Sequence, residues 1–356
     1  MKYRNERSWL AWLAIISSGL AITCVIFILA HFWEHSGFVF PENLGNTKAA
    51  ALLSQNSGQS DLLEFAIVGD INSGTETFES VIARLREEKA VDFLVLLGDC
   101  AADPYPSQHD YFIREFSETG LTLPTFIVAG NHDVNPGRFE YSNFEALYGP
   151  ANFTFKYHGN LFIGLGGIHS HEKLQETLTF LETTLRENRS KVEKVFVFMH
   201  YTASASEDIP TKKIERSTEF QYLFEKYKVT YVFSGHYHRL ARTEVNGVVY
   251  FVTGGGGAQL RHDEFADIGL FHHLTIIKER GNSTAEQIIP IEPISPLTKV
   301  MEKVERWGLT VLVPNAKKHP AISGLAAIII LALFVWGVMD RYRLRMHAME
   351  PFIAQR

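Results

Sequence analysis

The chain reads as an α/β protein built on parallel strands, and three observations predict it. Short apolar runs recur through its middle, each followed by a polar turn and then by a segment with helical spacing. That strand, turn, helix order belongs to parallel sheets. A carboxylate or amide stands at the end of each of the first three runs, at Asp70, Asp99 and Asn131. Open α/β sheets bind ligands at strand carboxyl ends, so three such groups in register would line one edge. The densest end is Gly130-Asn131-His132-Asp133, directly after Phe126-Ile127-Val128-Ala129.

The 356 residues are 46% hydrophobic and 21% charged, and the net charge is −6. That balance lacks the basic footprint of a nucleic-acid binder, and no nucleic-acid partner is expected. Of the two cysteines, Cys24 lies in an apolar run and Cys100 in a polar turn. They are not expected to pair, so no disulfide framework is predicted and the redox compartment stays open.

The two ends are apolar. Residues 1–8 carry Lys2, Arg4 and Arg7; in residues 9–33 only His31 can hold charge. Such a run crosses a hydrocarbon core of ~30 Å as a helix. Glu34 and Glu42 follow it, and Trp9, Trp12, Phe32 and Trp33 mark its ends as an aromatic belt would. A cleaved signal peptide would have a shorter core of ~7–15 residues and a small-x-small cleavage site. A lipidated Cys24 would follow a poor lead-in, Ile22-Thr23, so an uncleaved anchor is preferred. Residues 321–339 form a second uncharged run between Lys317, Lys318, His319 and Arg341, Arg343, Arg345. The expectation is a two-pass membrane protein, with both termini, including the tail 340–356, in the cytoplasm and the middle outside it.

Between the runs, residues 34–61 show no sustained period and read as a linker. Residues 62–294 read as the folded domain. Leu62 to Val68 is a strand, and Thr77 to Lys89 a helix through Phe78, Val81, Ile82 and Leu85. Phe93 to Leu97 is the second strand, and Gln108 to Glu118 a helix leading to the third. Phe139 to Tyr148 reads as helix. Asn152 to Tyr157 and Leu161 to Leu165 form a strand pair around His158-Gly159-Asn160. Glu172 to Asn188 is an amphipathic helix whose apolar face is core. Val195 to Met199 is a strand closed by His200. After the helix Phe220 to Tyr227, the strand Val229 to Phe233 ends in Ser234-Gly235-His236-Tyr237-His238. Gly235 permits the bend that would turn both histidines to one site. Val248 to Val252 leads into Gly254-Gly255-Gly256-Gly257, which could cradle a phosphate with backbone N–H groups or make a tight turn; the turn is preferred. Phe271 to Ile277 and Ala285 to Ile289 are closing strands. The linker 295–320 contains a short amphipathic helix, Leu297 to Arg306.

Each polar strand end has a plain alternative, because an aspartate after a strand also caps helices and turns. Together, however, Asp70, Asp99, Asn131, His200, His236 and His238 mix carboxylate, amide oxygen and imidazole. That mixture suits Mn, Fe or Zn better than Ca. The absence of cysteine from the set speaks against structural zinc. The set is large enough for two ions with a shared carboxylate, an arrangement that assists displacement at phosphorus and supplies hydroxide near neutral pH. His132, held by Asp133, could protonate the leaving oxygen.

The order Asp70, Gly98-Asp99, Gly130-Asn131-His132-Asp133, His200, Gly235-His236-Tyr237-His238 resembles the calcineurin-like metallophosphoesterases, which include purple acid phosphatases and cyclic-nucleotide phosphodiesterases. The resemblance covers about Leu62 to Ile289. It implies a four-layer α/β/β/α sandwich, flanked here by the two transmembrane helices, with a dinuclear centre on one edge. It implies that Asp99 bridges the ions, that Asn131, His200 and His236 serve one, and that Asp70 and His238 serve the other. His132 becomes the leaving-group acid. Two departures stand out. Asn72 occupies the histidine position of the family's Asp-x-His, and Ala102 the usual Asp or Tyr position, with Asp103 displaced by one. Asn72 can still ligate through its oxygen, so the expectation is an intact second site and a first that binds loosely, has unusual selectivity or fills only with substrate.

The resulting expectation is a membrane-anchored metal-dependent phosphoesterase acting on a phosphomonoester or diester, a lipid-linked one among the candidates. The alternative is a non-catalytic binding or sensor module on the same fold. His169, His171, Arg138, Arg261 and His262 are further groups that could touch substrate, but for each the surface or structural reading is preferred.

Overall fold

The computed structural model describes residues 39–55, 62–203, 214–260, 269–281 and 283–320, with single positions in the flanking runs. The elements are α1 (Asn46–Gln55), β1 (Leu62–Val68), α2 (Thr75–Leu85), β2 (Phe93–Leu96), α3 (Pro106–Glu118), β3 (Thr125–Ile127), α4 (Tyr141–Tyr148), β4 (Asn152–Tyr157) and β5 (Asn160–Leu165). They continue with α5 (His171–Asn188), β6 (Val195–Met199), α6 (Ser217–Lys226), β7 (Tyr231–Ser234), β8 (Leu240–Val245), β9 (Val248–Thr253), β10 (His273–Arg280), β11 (Ser283–Pro290) and α7 (Pro296–Trp307).

Residues 40–305 form one compact unit. Its strands make two mixed sheets. The first has the order β11-β10-β1-β2-β3, and β1, β2 and β3 run parallel. The second has the order β4-β5-β6-β7-β9-β8, parallel from β5 to β9 with antiparallel edges. Alternation along each strand sends one set of side chains between the sheets and the other under helices. Phe65, Ile67, Phe93, Val95 and Phe126 meet Phe162, Phe196, Phe198, Phe233 and Phe251 between the sheets. Ala66, Val68, Leu94 and Leu96 pack with Phe78, Val81, Phe112 and Phe116 of α2 and α3. Ile163, Val197 and Val232 pack with Leu178, Leu181, Phe220 and Phe224 of α5 and α6. Helices therefore lie on the outer faces of both sheets.

Phe65 sits at the middle of the aromatic layer. It stacks on Phe93 at 5.2 Å and meets Phe162 and Phe196 edge-on at 5.5 and 5.2 Å. Such offset and edge contacts fit the ring quadrupoles.

The stretch read as a linker, 34–61, departs from expectation over 46–55, which is helix α1. Asn46 is the reason. Its amide donates to the Ile127 and Pro150 carbonyls and accepts from Ile127 N–H at 2.9 Å. Thr125 N–H donates to Asn43 O, and Gly45 N–H to Thr125 O. The segment so covers the outer edge of β3, which would otherwise leave backbone groups open. Strand β8 is a second addition to the sequence reading. It is only half-buried on one face and is joined to β9 through Asn246 and Gly247, both left-handed at φ 53° and 78°. That pair is the sequence signal of a two-residue hairpin turn.

Residues 1–39 and 306–356 form a separate unit, whose described part contains a short helix, α8 (Val313–Lys318). The runs 9–33 and 321–339 lie outside the described residues apart from single positions. Among the described residues no helix is long and apolar enough to cross a membrane.

An acidic group lies between α2 and α3. Burial, then the charges of Glu76, Glu118 and Glu305, push Glu79 up to about 7. Burial pushes Glu115 up to about 8 despite its contact with Arg114 at 2.9 Å. An acid whose folded-state pKa is raised holds its proton in the fold and loses it on unfolding. Its stabilising contribution is present below the ordinary value of 4.5 and disappears as pH rises through about 8. Two outcomes follow. Thermal midpoints should fall between pH 5 and pH 8, and Glu115→Gln should flatten that decline; an unchanged slope in the variant would refute the assignment. Phe65→Ala should cost about 3–5 kcal/mol in a denaturant titration.

Candidate metal centre

The carboxyl ends of β1, β2 and β3 in one sheet and of β6, β7 and β9 in the other converge on one edge. Asp70 and Asn72 follow β1, Asp99 follows β2, and Asn131 follows β3. His200 follows β6, and His236 and His238 follow β7. Nine non-glycine residues among those described have left-handed φ; five of them are Asp70, Asn72, Asp99, His236 and His238. Strain of that kind gathers at functional sites because surrounding structure must hold it.

Two groups of ligand atoms arise. Asp99, His200 and His236 place one atom each within 4.8 Å of one another, and so do Asp70, Asp99 and His238. Asp99 belongs to both. Its Oδ1 lies 3.3 Å from His200 Nε2. His238 Nε2 lies 3.6 Å from Asp70 Oδ1. Asn131 Oδ1 is 3.1 Å from His200 Nε2, which brings the amide into the first group.

Backbone groups fix the donors. Asp70 accepts the His236 N–H at 2.9 and 2.8 Å, and Asp99 Oδ1 accepts the His132 N–H at 2.8 Å. The loop after β1 crosses over the loop after β2, with Ile71 and Asn72 N–H groups on the Asp99 carbonyl. Three imidazoles are aimed by carbonyls. His200 Nδ1 meets Leu97 O at 2.8 Å, His238 Nδ1 meets Gln259 O at 2.7 Å, and His132 Nδ1 meets Ala102 O at 2.7 Å. A carbonyl only accepts, so each Nδ1 carries the hydrogen and each Nε2 presents its lone pair to the site in the neutral ring.

Close approach needs glycine at two points. A Cβ at Gly130 would lie 2.3 Å from Asp99 Oδ1, and one at Gly254 would lie 2.6 Å from Asp70 Oδ2. The run Gly254–Gly257 is irregular backbone packed close against the site. The Gly254 and Gly256 N–H groups are taken by the Arg239 and Gly69 carbonyls rather than left for a phosphate.

The charges are unbalanced in a telling way. His200 Nε2 faces the oxygens of Asn131 and Asp99, so the ring is tolerated only with a proton or another cation between them. Burial disfavours the charged ring, but Asp99 and Asp70 outweigh it and raise His200 to about 9. Burial likewise opposes ionised Asp99, yet His200 and His132 hold its carboxyl well below the usual range. Two further buried oxygens, Asn72 Oδ1 and Asp99 Oδ2, accept no hydrogen bond among the described residues. Buried acceptors without donors are costly. Oxygen and imidazole donors facing one another, with acceptors left over, fit a pair of borderline divalent or trivalent ions.

One expected role changes hands. Asp133 does not hold His132. Its Oδ1 accepts from Ala101 N–H and its Oδ2 from Gly130 N–H, so it braces the loop from beneath, fully buried. The Ala102 carbonyl orients His132 instead, and that ring lies 36% exposed with Nε2 4.0 Å from Asp99 Oδ2. Ala102 thus contributes through its backbone although its side chain departs from the family pattern.

The secondary candidates divide. The His169 ring lies 5.5 Å from that of His200 and its Nε2 meets Ala129 O at 2.8 Å; burial, then the His200 charge, lower it to about 3. Since Ala129 O can only accept, that nitrogen is the donor. His171 is exposed against Glu215, and Arg138 lies over the Tyr105 ring. Arg261 and His262 lie outside the described residues. Tyr201, whose ring is 4.3 Å from His236, was not signalled by the sequence beyond its position after His200. The Leu97, Ala102 and Gln259 carbonyls had no signal at all.

The calcineurin-like phosphoesterase family model matches residues 63–240. "Probable inactive purple acid phosphatase 1" of Arabidopsis thaliana is 27% identical over 231 residues, covering 52% of this chain and 37% of that protein. "Serine/threonine-protein phosphatase CPPED1" of Bos taurus is 27% identical over 233 residues, covering 58% of this chain and 74% of that protein. A solved dimetal phosphatase from Danio rerio is 13% identical, with a TM-score of 0.49, covering 65% of this chain and 99% of that one. The chain spans little more than a third of the length of the first plant relative. With the strand-end ligands in the expected order and the family model spanning them, the chain belongs to the calcineurin-like phosphoesterases.

Proposed function

We propose that this chain is a metal-dependent phosphoesterase that hydrolyses a phosphomonoester or phosphodiester at a two-ion centre. The observation that carries the reading is Asp99, common to both ligand groups. Asn131 would complete the set of His200 and His236, and Asn72 the set of Asp70 and His238. Ions of the Mn, Fe or Zn type at such a donor set would neutralise phosphoryl oxygens and acidify water near neutral pH.

The chain's own groups do the rest. Backbone N–H groups hold Asp70 and Asp99 before any ligand arrives, so little reorganisation is left for the reaction. His132 stands at the open side with Nδ1 committed to Ala102 O. With Nδ1 so committed, Nε2 is the nitrogen left to take up a proton and pass it to a leaving oxygen. Asp133 acts one step away, by holding the Gly130 loop from which Asn131 and His132 project.

The uncharged runs 9–33 and 321–339 support a membrane anchor with both termini cytoplasmic and the domain outside, which would bring lipid-borne phosphoesters within reach. A second reading, a non-catalytic binding or sensor module, is favoured by Asn72 in place of histidine and by a relative named as inactive.

Purified protein loaded with Mn should hydrolyse p-nitrophenyl phosphate or its bis ester, and Asp99→Asn should bring the rate to background. His132→Ala should lower kcat by roughly 10²–10⁴-fold while ion binding persists. A folded, ion-loaded protein that hydrolyses neither ester would favour the sensor reading. Calorimetric titration with Mn should show two steps, the weaker lost in His238→Ala and strengthened in Asn72→His. Two equally tight steps in the unaltered chain would remove the loose-site idea.

A further inference from the structure

Helix α7 is held to the domain by one face. Glu302 on that face is buried, and its Oε1 accepts the Thr75 backbone N–H at 2.6 Å and the Thr75 hydroxyl at 3.1 Å. Glu305, on the same side, lies 3.7 Å from Arg114. The outer face carries Leu297, Val300, Met301 and Val304, at the i, i+3, i+4, i+7 spacing of one stripe. These side chains are 57–69% exposed, and Trp307 at the helix end is 54% exposed. A contiguous aliphatic stripe of this kind marks a surface that something covers.

The border of the stripe says what covers it. Exposed Lys303 stands beside Val300 and Val304 on one flank, with exposed Lys299 one turn before it, and Glu305 stands on the other flank. Apolar residues on one face with cations beside them are the pattern of helices that lie in the headgroup layer of a bilayer. Lysine stems can pack on the apolar layer while their charges reach phosphates. The chain beyond the helix supports the same occupant, since the uncharged run 321–339 begins just after Lys317, Lys318 and His319.

The helix shares a cavity with a residue that supports the metal centre. Lys299, Lys303, His272 and Gln259 line a cavity of about 450 Å³. The Gln259 carbonyl is the group that takes His238 Nδ1–H. We infer that α7 is an interfacial helix: Leu297, Val300, Met301 and Val304 enter the acyl boundary of a bilayer containing anionic lipid, Lys299 and Lys303 meet its headgroup phosphates, and the cavity beside His238 opens at that surface. The substrate class would be a lipid headgroup phosphoester. This inference rests on the membrane reading above and deepens it.

The test uses the full chain carrying Cys24→Ser, with an environment-sensitive fluorophore on Val300→Cys; Cys100 is buried. A control chain carries the label on Gln175→Cys of α5. Vesicles are phosphatidylcholine with or without phosphatidylglycerol, doped with doxyl-labelled lipid. The label at 300 should shift to the blue and be quenched, and the label at 175 should not. Met301→Glu with Val304→Glu should abolish quenching while the unfolding midpoint stays unchanged, since both positions are exposed. Lys299→Ala and Lys303→Ala should each weaken the response to phosphatidylglycerol by about five-fold. A label at 300 that stays in water on vesicle-bound protein overturns the inference and leaves the anchor intact. A chain that fails to float with vesicles at all overturns the membrane reading itself. A blue shift that grows with protein concentration, without doxyl quenching, assigns the stripe to a second copy and overturns the lipid assignment.

Discussion

Asp99 is a carboxylate buried where two sheets meet, and the geometry around it tolerates little change. Its side chain is clamped by the His132 N–H and shares space with the Gly130 backbone, where a Cβ would come within 2.3 Å of its Oδ1. Its carbonyl takes two N–H groups from the loop after β1. The residue therefore joins three strand ends before any ligand is considered. Moving it would disturb Asn72, Asn131 and His200 together. That coupling fits its place in both ligand groups: it is the group whose position the others reference.

The clamp works only because the two sheets are held in fixed relation. The aromatic layer between them does this. Rings from facing strands interlock by stacked and edge contacts, so sliding one sheet over the other would break many at once. His200, His236 and His238 come from one sheet and Asp70, Asp99 and Asn131 from the other. Packing that looks remote from the chemistry is thus what sets the distance from imidazole to carboxylate.

The sequence made the strand-end ligands legible because each follows a buried run directly and each is a residue type with lone pairs to offer. Asp70, Asp99, Asn131, His200, His236 and His238 do meet at one edge. The parts that were not legible are those carried by backbone. Carbonyls at Leu97, Ala102 and Gln259 aim three rings, and any residue could supply them. Asp133 illustrates the opposite error. Adjacency to His132 suggested a partnership, but the turn that exposes the ring directs the carboxylate inward to Ala101 and Gly130 N–H groups. Helix α1 escaped for a related reason: a single amide, Asn46, ties it to β3, and one polar residue has no period.

The five left-handed residues of the site are Asp70, Asn72, Asp99, His236 and His238. Asp, Asn and His are the residues other than glycine found there most often. They are also the oxygen and imidazole donors that borderline ions accept. One residue choice therefore answers two demands, a bent backbone at each strand end and a ligand projecting from the bend. Asn72 is instructive in this respect. At φ 51° it keeps the backbone that the crossing loop requires, and its N–H still reaches the Asp99 carbonyl at 2.8 Å. What differs from histidine is the ligand alone, an amide oxygen in place of a ring nitrogen. The difference therefore changes the donor on one side of the site without loosening the loop that builds both, so the asymmetry between the two candidate groups is chemical rather than architectural.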